Sequence, residues 1–332
     1  MLFLSLKQRN MYNIAIVAGG NSGEYEISMK SGMQVELNMD LDRFRPFLIE
    51  IRGTKWNYTL EKKSFPIDKN DFSLTIGKRK IRFDAVFNAI HGTPGEDGKL
   101  QGYFDMLGIP YTSSGVTCSS LSFNKSFCKD VVAGYGIDVS SSVHLYKCEK
   151  GAQDRVLKQL KLPVFVKPNN GGSSVGMSKV NHKKELKAAL ARAFHEDEEI
   201  LVEEFIKGRE LTCGVIKSKG KIIAFPVTEI ISKKEFFDFE AKYQPGMADE
   251  VVPAEISAKV ADKCREISVN LFRKLNCKGI VRFDYILKGK KFYFLEVNTV
   301  PGITSASIVP KMARAYGWTY TELITNLLEE II

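Results

Sequence analysis

The chain has 332 residues, enough for two or three domains that each bury a core of their own. A hydrophobic fraction of 44% and a charged fraction of 26% are ordinary for a globular protein and speak against a disordered, collagen-like or coiled-coil chain. The net charge is +9, but the lysines and arginines are scattered among 39 acidic residues and form no dense basic run. We therefore expect no nucleic-acid and no membrane partner. Six cysteines without metal-ligand spacing predict reduced thiols in a cytoplasmic protein.

The N-terminal part predicts an open α/β sheet. Residues 1–10 lack the charge order of a signal peptide, and we expect a frayed extension. Continuous apolar runs at 13–18 and 85–90 are typical of buried parallel strands, and each ends in a glycine-containing loop. Ligand sites in such sheets lie beyond the carboxyl ends of the strands. We place the boundary of this domain at residue 113.

The next two domains are predicted at 114–203 and 204–332. The central one contains a helix near 125–135, a strand at 164–167, a charged helix at 183–194 and a strand at 200–203. The C-terminal one is rich in strands, has a polar excursion near 232–250 and ends in an amphipathic helix at 320–331. Without a low-complexity linker, we expect the domains to pack together.

The segment 279–298 is the most informative part of the sequence. Two apolar runs flank Lys288, Gly289 and Lys290, which predicts a hairpin with a three-residue loop. In that register Arg282 lies opposite Glu296, and Asp284 lies opposite Phe294. Because side chains alternate along a strand, the two faces differ in character. The predicted polar face carries Arg282, Asp284, Glu296 and Asn298. The predicted core face carries Val281, Phe283, Tyr285, Leu287, Tyr293, Leu295 and Val297.

Two carboxylates and one amide oxygen on a single sheet face suit a hard cation such as Mg²⁺. The alternative is a structural salt bridge between Arg282 and one of the acids. The asparagine two residues after Glu296 favours the metal site.

A second cluster follows the strand at 164–167. Lys167 ends this strand and suits a phosphate as a point charge. The glycines and serines of 171–176 allow backbone N–H groups to close over phosphate oxygens. The lysine that a P-loop requires is missing, and a flexible hairpin loop is the alternative interpretation.

Acidic residues also follow other strands. Glu203 and Glu210 are candidates for reading an adenine amino group and ribose hydroxyls, although such acids are usually just solvated. A lone histidine such as His91 is more often structural, but its position after the strand at 85–90 and beside Glu96 and Asp97 makes a role in a pocket more common than usual. The loop at 19–24 lacks the glycine spacing of a dinucleotide fingerprint.

Together, five short motifs in chain order resemble the ATP-grasp enzymes and, within them, the D-alanine–D-alanine ligases. The motifs lie at 19–24, 91–98, 167–176, 240–243 and 296–302. The resemblance covers almost the whole chain from about Asn13. It implies an α/β fold with three domains, in which the central and C-terminal domains grip ATP.

The resemblance also implies a role for individual residues. Phosphates would be held by Lys125, Lys167, Ser173 and Ser174. Adenosine would be read by the Glu203 side chain, the Glu204 carbonyl, the Ile206 amide and, at the ribose, Glu210. Two Mg²⁺ ions, with Mn²⁺ as a substitute, would be bound by Asp284, Asn298 and a bridging Glu296.

On the substrate side, the resemblance implies that Glu24 anchors the ammonium of the first D-alanine and that His91 and Lys242 line the substrate pocket. Ser307 and the Ile308 backbone would hold the carboxylate of the second D-alanine. The oxyanion would be stabilised by Arg282 and the Gly302 amide. The 232–250 loop would close over the site, with Tyr243 reaching Ser173 and Glu24.

The implied reaction transfers the γ-phosphoryl group of ATP to the carboxylate of one D-alanine, and the amine of a second attacks the acyl phosphate. The dipeptide would serve peptidoglycan precursor synthesis, and the resemblance suggests a homodimer. The nearest alternative is a D-alanine–D-lactate ligase of the same fold, which Tyr243 disfavours. A dinucleotide-dependent oxidoreductase and a catalytically dead nucleotide-binding regulator are more remote alternatives.

Overall fold

The N-terminal sheet is built around its first strand. A computed structural model describes residues 11–172, 175–232 and 248–332. In it, β1 (Tyr12–Gly19) pairs in parallel with β2 (Phe44–Arg52) and with β7 (Ala85–Asn88). The predicted parallel strands are therefore confirmed. The frayed extension predicted for 1–10 lies outside the described residues.

Both faces of β1 are buried, which explains its continuous apolar sequence. Ile14 and Ile16 belong to one core, and the alternating Ala15 and Val17 belong to the core on the other face. The helix α1 (Tyr25–Leu37) connects β1 to β2, since parallel neighbours need a crossover.

An antiparallel meander extends this sheet beyond β2, which the sequence did not predict. The sheet order is β6-β5-β4-β3-β2-β1-β7. The added strands are β3 (Lys55–Leu60), β4 (Lys63–Asp68), β5 (Ser73–Ile76) and β6 (Arg79–Ile81). The chain then enters α2 (Lys99–Leu107), α3 (Val116–Phe123) and α4 (Lys125–Gly134).

The central sheet is antiparallel and has the order β10-β9-β11-β8. Its strands are β8 (Ser142–Tyr146), β9 (Val164–Pro168), β10 (Ser178–Val180) and β11 (Glu199–Glu204). The helices α5 (Ala152–Gln159) and α6 (Lys183–Glu196) share one apolar core with it. That core leaves the other face of the sheet available to a ligand.

The C-terminal sheet has the order β15-β14-β12-β16-β17, with β13 paired to β12. Its strands are β12 (Arg209–Ser218), β13 (Lys221–Ala224), β14 (Thr228–Ser232), β15 (Ala248–Val251), β16 (Ile280–Lys288) and β17 (Lys291–Asn298). The last helices are α7 (Ala258–Lys274), α8 (Ile308–Tyr316) and α9 (Tyr320–Glu329).

Two helix pairs join the sheets. Helices α8 and α9 share a core with β1, since Ile14, Leu323 and Leu327 belong to one cluster. Helices α3 and α4 share a core with β16 and β17 through Cys128 and Val132. The domain boundaries at 113 and 203 therefore stay a prediction. Within the described ranges, no helix has both the length and the apolar character needed to cross a membrane.

The predicted hairpin exists, but its predicted register is wrong. Asp284 lies opposite Glu296, and Arg282 lies opposite Asn298. Lys288 pairs with Lys291, so the loop has two residues instead of three.

A β-bulge that makes Leu295 an extra residue is the physical reason for the difference, because it shifts the alternation of all residues between it and the turn. Phe292 and Phe294 therefore join the core, whereas Tyr293 and Leu295, which were predicted there, line the cleft.

Candidate active site

A cavity of about 980 Å³ lies between the central and C-terminal sheets, a volume at the upper end of the usual range for ligand pockets. Its lining includes these residues predicted from the sequence: Glu24, Lys125, Lys167, Glu203, Glu204, Ile206, Glu210, Arg282, Asp284 and Glu296. Other described candidates lie outside its lining: His91, Asn298, Gly302, Ser307 and Ile308. Four candidates lie outside the described residues: Ser173, Ser174, Lys242 and Tyr243.

The polar face of the β16–β17 ribbon forms one wall of this cleft. Arg282 Nη2 lies 2.7 Å from Asp284 Oδ2, and Thr212 Oγ1 donates to Asp284 Oδ1 at 2.5 Å. Although burial opposes it, the Asp284 carboxylate raises the pKa of Arg282 above its ordinary value. The salt bridge considered from the sequence is therefore present, and it fixes the direction of the Asp284 carboxylate.

The same ribbon has the composition of a divalent cation site. Asn298 Oδ1 is buried and has no hydrogen-bond partner among the described residues. An unpaired buried acceptor is costly unless a donor or a cation completes it. Within the described ranges, no group of three or more His, Cys, Asp or Glu side chains suits a metal. The two carboxylates of Asp284 and Glu296 and the amide oxygen of Asn298 fit a Mg²⁺ ion, because such an ion takes its remaining ligands from phosphates and water.

Lys125 and Lys167 stand on the phosphate side of the cleft. Asn124 caps α4 by accepting from the Phe127 amide at 3.0 Å, and the Lys125 amide donates to Asn169 O at 3.0 Å. These bonds fix the start of α4 beside the glycine loop, where Lys125 Nζ donates to Gly171 O at 2.5 Å. The helix start and the glycine loop thus approach the ligand together.

The Glu203 carboxylate pairs with two lysines, and the sequence predicted a role for only one of them, Lys167. Lys167 Nζ pairs with Glu203 Oε2, and Lys129 Nζ lies 2.7 Å from Glu203 Oε1. Burial alone would raise the pKa of Glu203, but Lys167 and Lys129 together lower it to about 2. A signal that could have pointed to Lys129 is its position four residues after Lys125 on one helix, which places both on the same helix face.

Apolar side chains line the part of the cleft next to β9 and the end of β11. Phe165 and Phe205 pack with their ring centroids 5.6 Å apart, and Ile206 and Ile286 also line the cavity. The main chain is fixed here because the Phe205 amide donates to Pro163 O at 3.1 Å. This rigid apolar slot beside a polar strand end is the arrangement expected for a purine.

His91 lies beneath the substrate end. Its Nδ1 is 2.8 Å from the Val300 carbonyl oxygen, and its Nε2 is 3.1 Å from Ser31 Oγ. Burial lowers the pKa of His91, so the neutral ring donates from Nδ1 and accepts from Ser31. Both ring nitrogens are used by the protein, and the predicted contact of His91 with the substrate stays a prediction.

Glu96 ties the same loop to the C-terminal domain. Its Oε2 accepts from the Gly92 amide at 2.6 Å, and its Oε1 accepts from the Val300 amide at 3.2 Å. Burial and the charge of Glu24 raise the pKa of Glu96 to about 8. Glu24 itself faces the glycine loop, since a methyl group added at Gly172 would lie 3.0 Å from Glu24 Oε2.

A helix start completes the substrate end. Ser307 precedes α8, and its Oγ lies 2.7 Å from Thr304 Oγ1. Ile308 is the first residue of α8, so its amide is one of the helix N-terminal donors that can receive a carboxylate. A methyl group added at Gly302 would lie 3.0 Å from Ser307 Oγ, so a side chain there would require Ser307 to move.

Comparisons with known proteins agree on one family. A family model described as D-ala D-ala ligase N-terminus matches residues 13–114, and one described as D-ala D-ala ligase C-terminus matches residues 131–329. A D-alanine--D-alanine ligase of Azobacteroides pseudotrichonymphae is 45% identical over 97% of this chain and 100% of its own length. A D-alanine--D-alanine ligase of Flavobacterium johnsoniae is 44% identical over 96% of this chain and 99% of its own length.

Solved structures have the same architecture. The VanG D-Ala:D-Ser ligase of Enterococcus faecalis aligns with a TM-score of 0.86 at 33% identity, covering 96% of this chain and 99% of its own. The D-alanine--D-alanine ligase of Bacillus anthracis complexed with ATP aligns with a TM-score of 0.76 at 28% identity, covering 96% of both chains. The predicted ATP-grasp architecture is confirmed.

Proposed function

The chain belongs to the D-alanine–D-alanine ligase family, and we propose that its cleft joins two D-alanine molecules at the expense of ATP. The products are D-alanyl-D-alanine, ADP and phosphate, and the dipeptide serves peptidoglycan precursor synthesis. We further propose that the enzyme works in the cytoplasm as a homodimer, without a nucleic-acid or membrane partner. Two Mg²⁺ ions, for which Mn²⁺ can substitute, assist it.

One observation carries this proposal. Asp284 and Glu296 lie directly opposite each other on the ribbon, beside the unpaired buried oxygen of Asn298. Lys125 and Lys167 line the same cleft from the other side. Oxygen ligands on one wall and ammonium groups on the other suit the terminal phosphates of a nucleotide carrying Mg²⁺.

The chain's own residues bind and orient the nucleotide. The apolar slot of Phe165, Phe205 and Ile206 takes the adenine, and Glu210 takes the ribose hydroxyls. The ammonium groups of Lys125 and Lys167 neutralise phosphate oxygens. When bound, Mg²⁺ at Asp284, Glu296 and Asn298 supplies further charge neutralisation for phosphoryl transfer.

Other residues position the two amino acids. Glu24 binds the ammonium of the first D-alanine, whose carboxylate oxygen attacks the γ-phosphorus and displaces ADP. The Ser307 hydroxyl and the Ile308 amide bind the carboxylate of the second. Its amine attacks the acyl phosphate, forms the peptide bond, loses a proton and displaces phosphate. Arg282 and the Gly302 amide stabilise the oxyanion of that step.

The test compares phosphate release from ATP with D-alanine, L-alanine and D-lactate side by side, with a sample that lacks all three as the control. We expect release with D-alanine well above the other samples and a product with the mass of alanylalanine. Equal release with D-lactate at neutral pH would refute the choice of an amine nucleophile. Release that does not depend on D-alanine would refute the ligase function.

A further inference from the structure

Lys129 is a buried lysine that the reaction described above does not use. Its side chain is only 5% exposed, and its Nζ lies 2.7 Å from Glu203 Oε1 and 2.9 Å from Ser140 Oγ. The Ser140 hydroxyl in turn donates to Glu203 Oε1 at 3.2 Å. Lys167 and Glu203 line the cleft, whereas Lys129 does not belong to its described lining. Lys129 therefore contacts the Glu203 carboxylate from behind, that is, from the side that faces away from the cleft.

The three side chains carry an unequal number of charges. Lys129 and Lys167 contribute two positive charges, and Glu203 contributes one negative charge. Each carboxylate oxygen is taken by one ammonium group, Oε1 by Lys129 and Oε2 by Lys167. A buried ionic group is costly unless it is compensated, so a triad with an excess cation needs an anion nearby. The cleft in front of Lys167 is the place where a phosphate can provide that anion.

We propose that Lys129 is a positioning residue that neutralises Glu203 from behind, so that the positive charge of Lys167 is available to the phosphates of a nucleotide. With Lys129, the triad carries a net charge of one positive unit toward the cleft. Without Lys129, the charges of Glu203 and Lys167 compensate each other, and these two side chains no longer attract phosphates. The inference rests on the proposed function, because it requires nucleotide phosphates in front of Lys167.

A Lys129→Met variant removes the charge and keeps most of the side-chain length. Because Glu203 then cancels the charge that Lys167 offers to the phosphates, we expect the Kd for ADP to rise roughly tenfold or more. Adenosine lacks phosphates, and we expect its Kd to change less than about threefold. Both constants come from thermal-shift titrations in the presence of Mg²⁺. Equal weakening of ADP and adenosine would indicate a merely structural lysine and overturn the proposal.

The double variant K129M/E203Q tests the charge argument directly. It restores one net positive charge, and glutamine keeps an acceptor oxygen. Because Glu203 also lies at the nucleotide base, the phosphate effect is measured as the ratio of ADP affinity to adenosine affinity, which we expect to stay within about threefold of the wild-type ratio. A double variant whose ratio is no better than that of K129M would overturn the proposal. If K129M does not fold, the double variant still decides, because a ratio about tenfold below that of the wild type contradicts the proposal.

Lys187→Met is the matched control, because Lys187 is an exposed lysine on α6 and its loss removes one charge far from the cleft. Wild-type ADP affinity is expected for it. Wild-type protein that fails to bind ADP would refute the proposed function. Wild-type binding together with unchanged ADP affinity in K129M would refute only the role of Lys129.

Discussion

The two ends of the active site contain a buried glutamate, Glu203, and a half-buried glutamate, Glu96, and the two are held in opposite ways. At the nucleotide end, Glu203 lies between Lys129 and Lys167, which lower its pKa to about 2 against the effect of burial. At the substrate end, Glu96 has backbone amides as hydrogen-bond donors and no cationic partner among the described residues, so burial and the charges of Glu24 and Glu296 raise its pKa to about 8. Loss of solvent acts in the same direction on both carboxyl groups. Their pKa values differ because Glu203 has cationic neighbours and Glu96 has anionic ones.

This difference matches what each end has to bind. In the proposed function, the end with Glu203 offers excess positive charge to phosphates, whereas the end with Glu96 offers Glu24 as an anion to an ammonium group. A second fully ionised acid at Glu96 would compete with that function. The raised pKa removes this charge while the backbone hydrogen bonds of Glu96 are kept.

The largest expected effect concerns Glu296. Its charge acts at both ends of the active site, because it lies in the proposed metal site and also raises the pKa of Glu96. We expect Glu296→Ala to lower the rate of phosphate release by roughly a hundredfold or more, because a group that stabilises transition-state charge is lost. Steady-state phosphate release measures it. Glu198→Ala, which removes an acid whose side chain is 86% exposed, is the control. Turnover at the wild-type rate in Glu296→Ala would refute the metal assignment.

A matched pair of substitutions tests the two glutamates against each other. Glu203→Gln leaves two buried lysines without an anion, and we expect the free energy of unfolding to fall by about 3 kcal/mol at pH 7. Glu96→Gln keeps an acceptor oxygen for only one of the two backbone amides, and we expect a smaller loss of about 1 kcal/mol. Urea unfolding of both variants measures the difference. Equal losses would mean that the environments of the two acids are not opposite.

The pH dependence of stability sharpens the same comparison. Because the folded pKa of Glu96 is raised, its contribution is fully present below about pH 4.5, the ordinary value, and is lost as the pH rises toward about 8. The slope is at most about 1.4 kcal/mol per pH unit for one proton. The contribution of Glu203 runs the other way and is lost only as the pH falls from about 4.5 toward about 2.

Unfolding midpoints of wild type and Glu96→Gln at pH 5, 6, 7 and 8 provide the measurement. We expect the wild type to lose stability relative to the variant as the pH rises through this window. Parallel curves for the two proteins would contradict the raised pKa of Glu96.

The smallest expected effect concerns Thr212, whose hydroxyl directs Asp284 at the nucleotide end. Thr212→Val should raise the Mg²⁺ concentration needed for half-maximal activity by roughly tenfold, since outer-shell partners of metal ligands have effects of this size. Thr228 is the matched control, because it pairs with Thr212 across the sheet and its buried Oγ1 has no partner among the described residues. A similar shift in Thr228→Val would refute the specific role of Thr212.

Local patterns in the sequence predicted the strands β1, β7, β9, β11, β16 and β17, the central helices and the polar residues of the ribbon, but not the meander of β3 to β6. They predicted the wrong register because the Leu295 bulge depends on how β17 packs, which no spacing in the sequence reveals. Lys129 was missed because a lysine in a helix is usually exposed, and only Glu203, 74 residues later, explains its burial.

The hydrogen bonds of His91 were hidden for the same reason. Its partners Ser31 and Val300 lie 60 and 209 residues away in sequence, so the fold has to be known before both ring nitrogens are accounted for. Identification of the family came from motif order, which is a property of the sequence alone. The hydrogen-bond network behind the motif residues is a property of the packing.

The most direct test of the central claim is a crystal structure with Mn²⁺ and ADP, in which anomalous scattering locates the metal. We predict manganese peaks within about 2.3 Å of oxygen atoms of Glu296 and Asn298, next to the ADP phosphates. Manganese located away from the β16–β17 ribbon, or ADP bound outside the cleft of Lys167 and Glu203, would contradict the account.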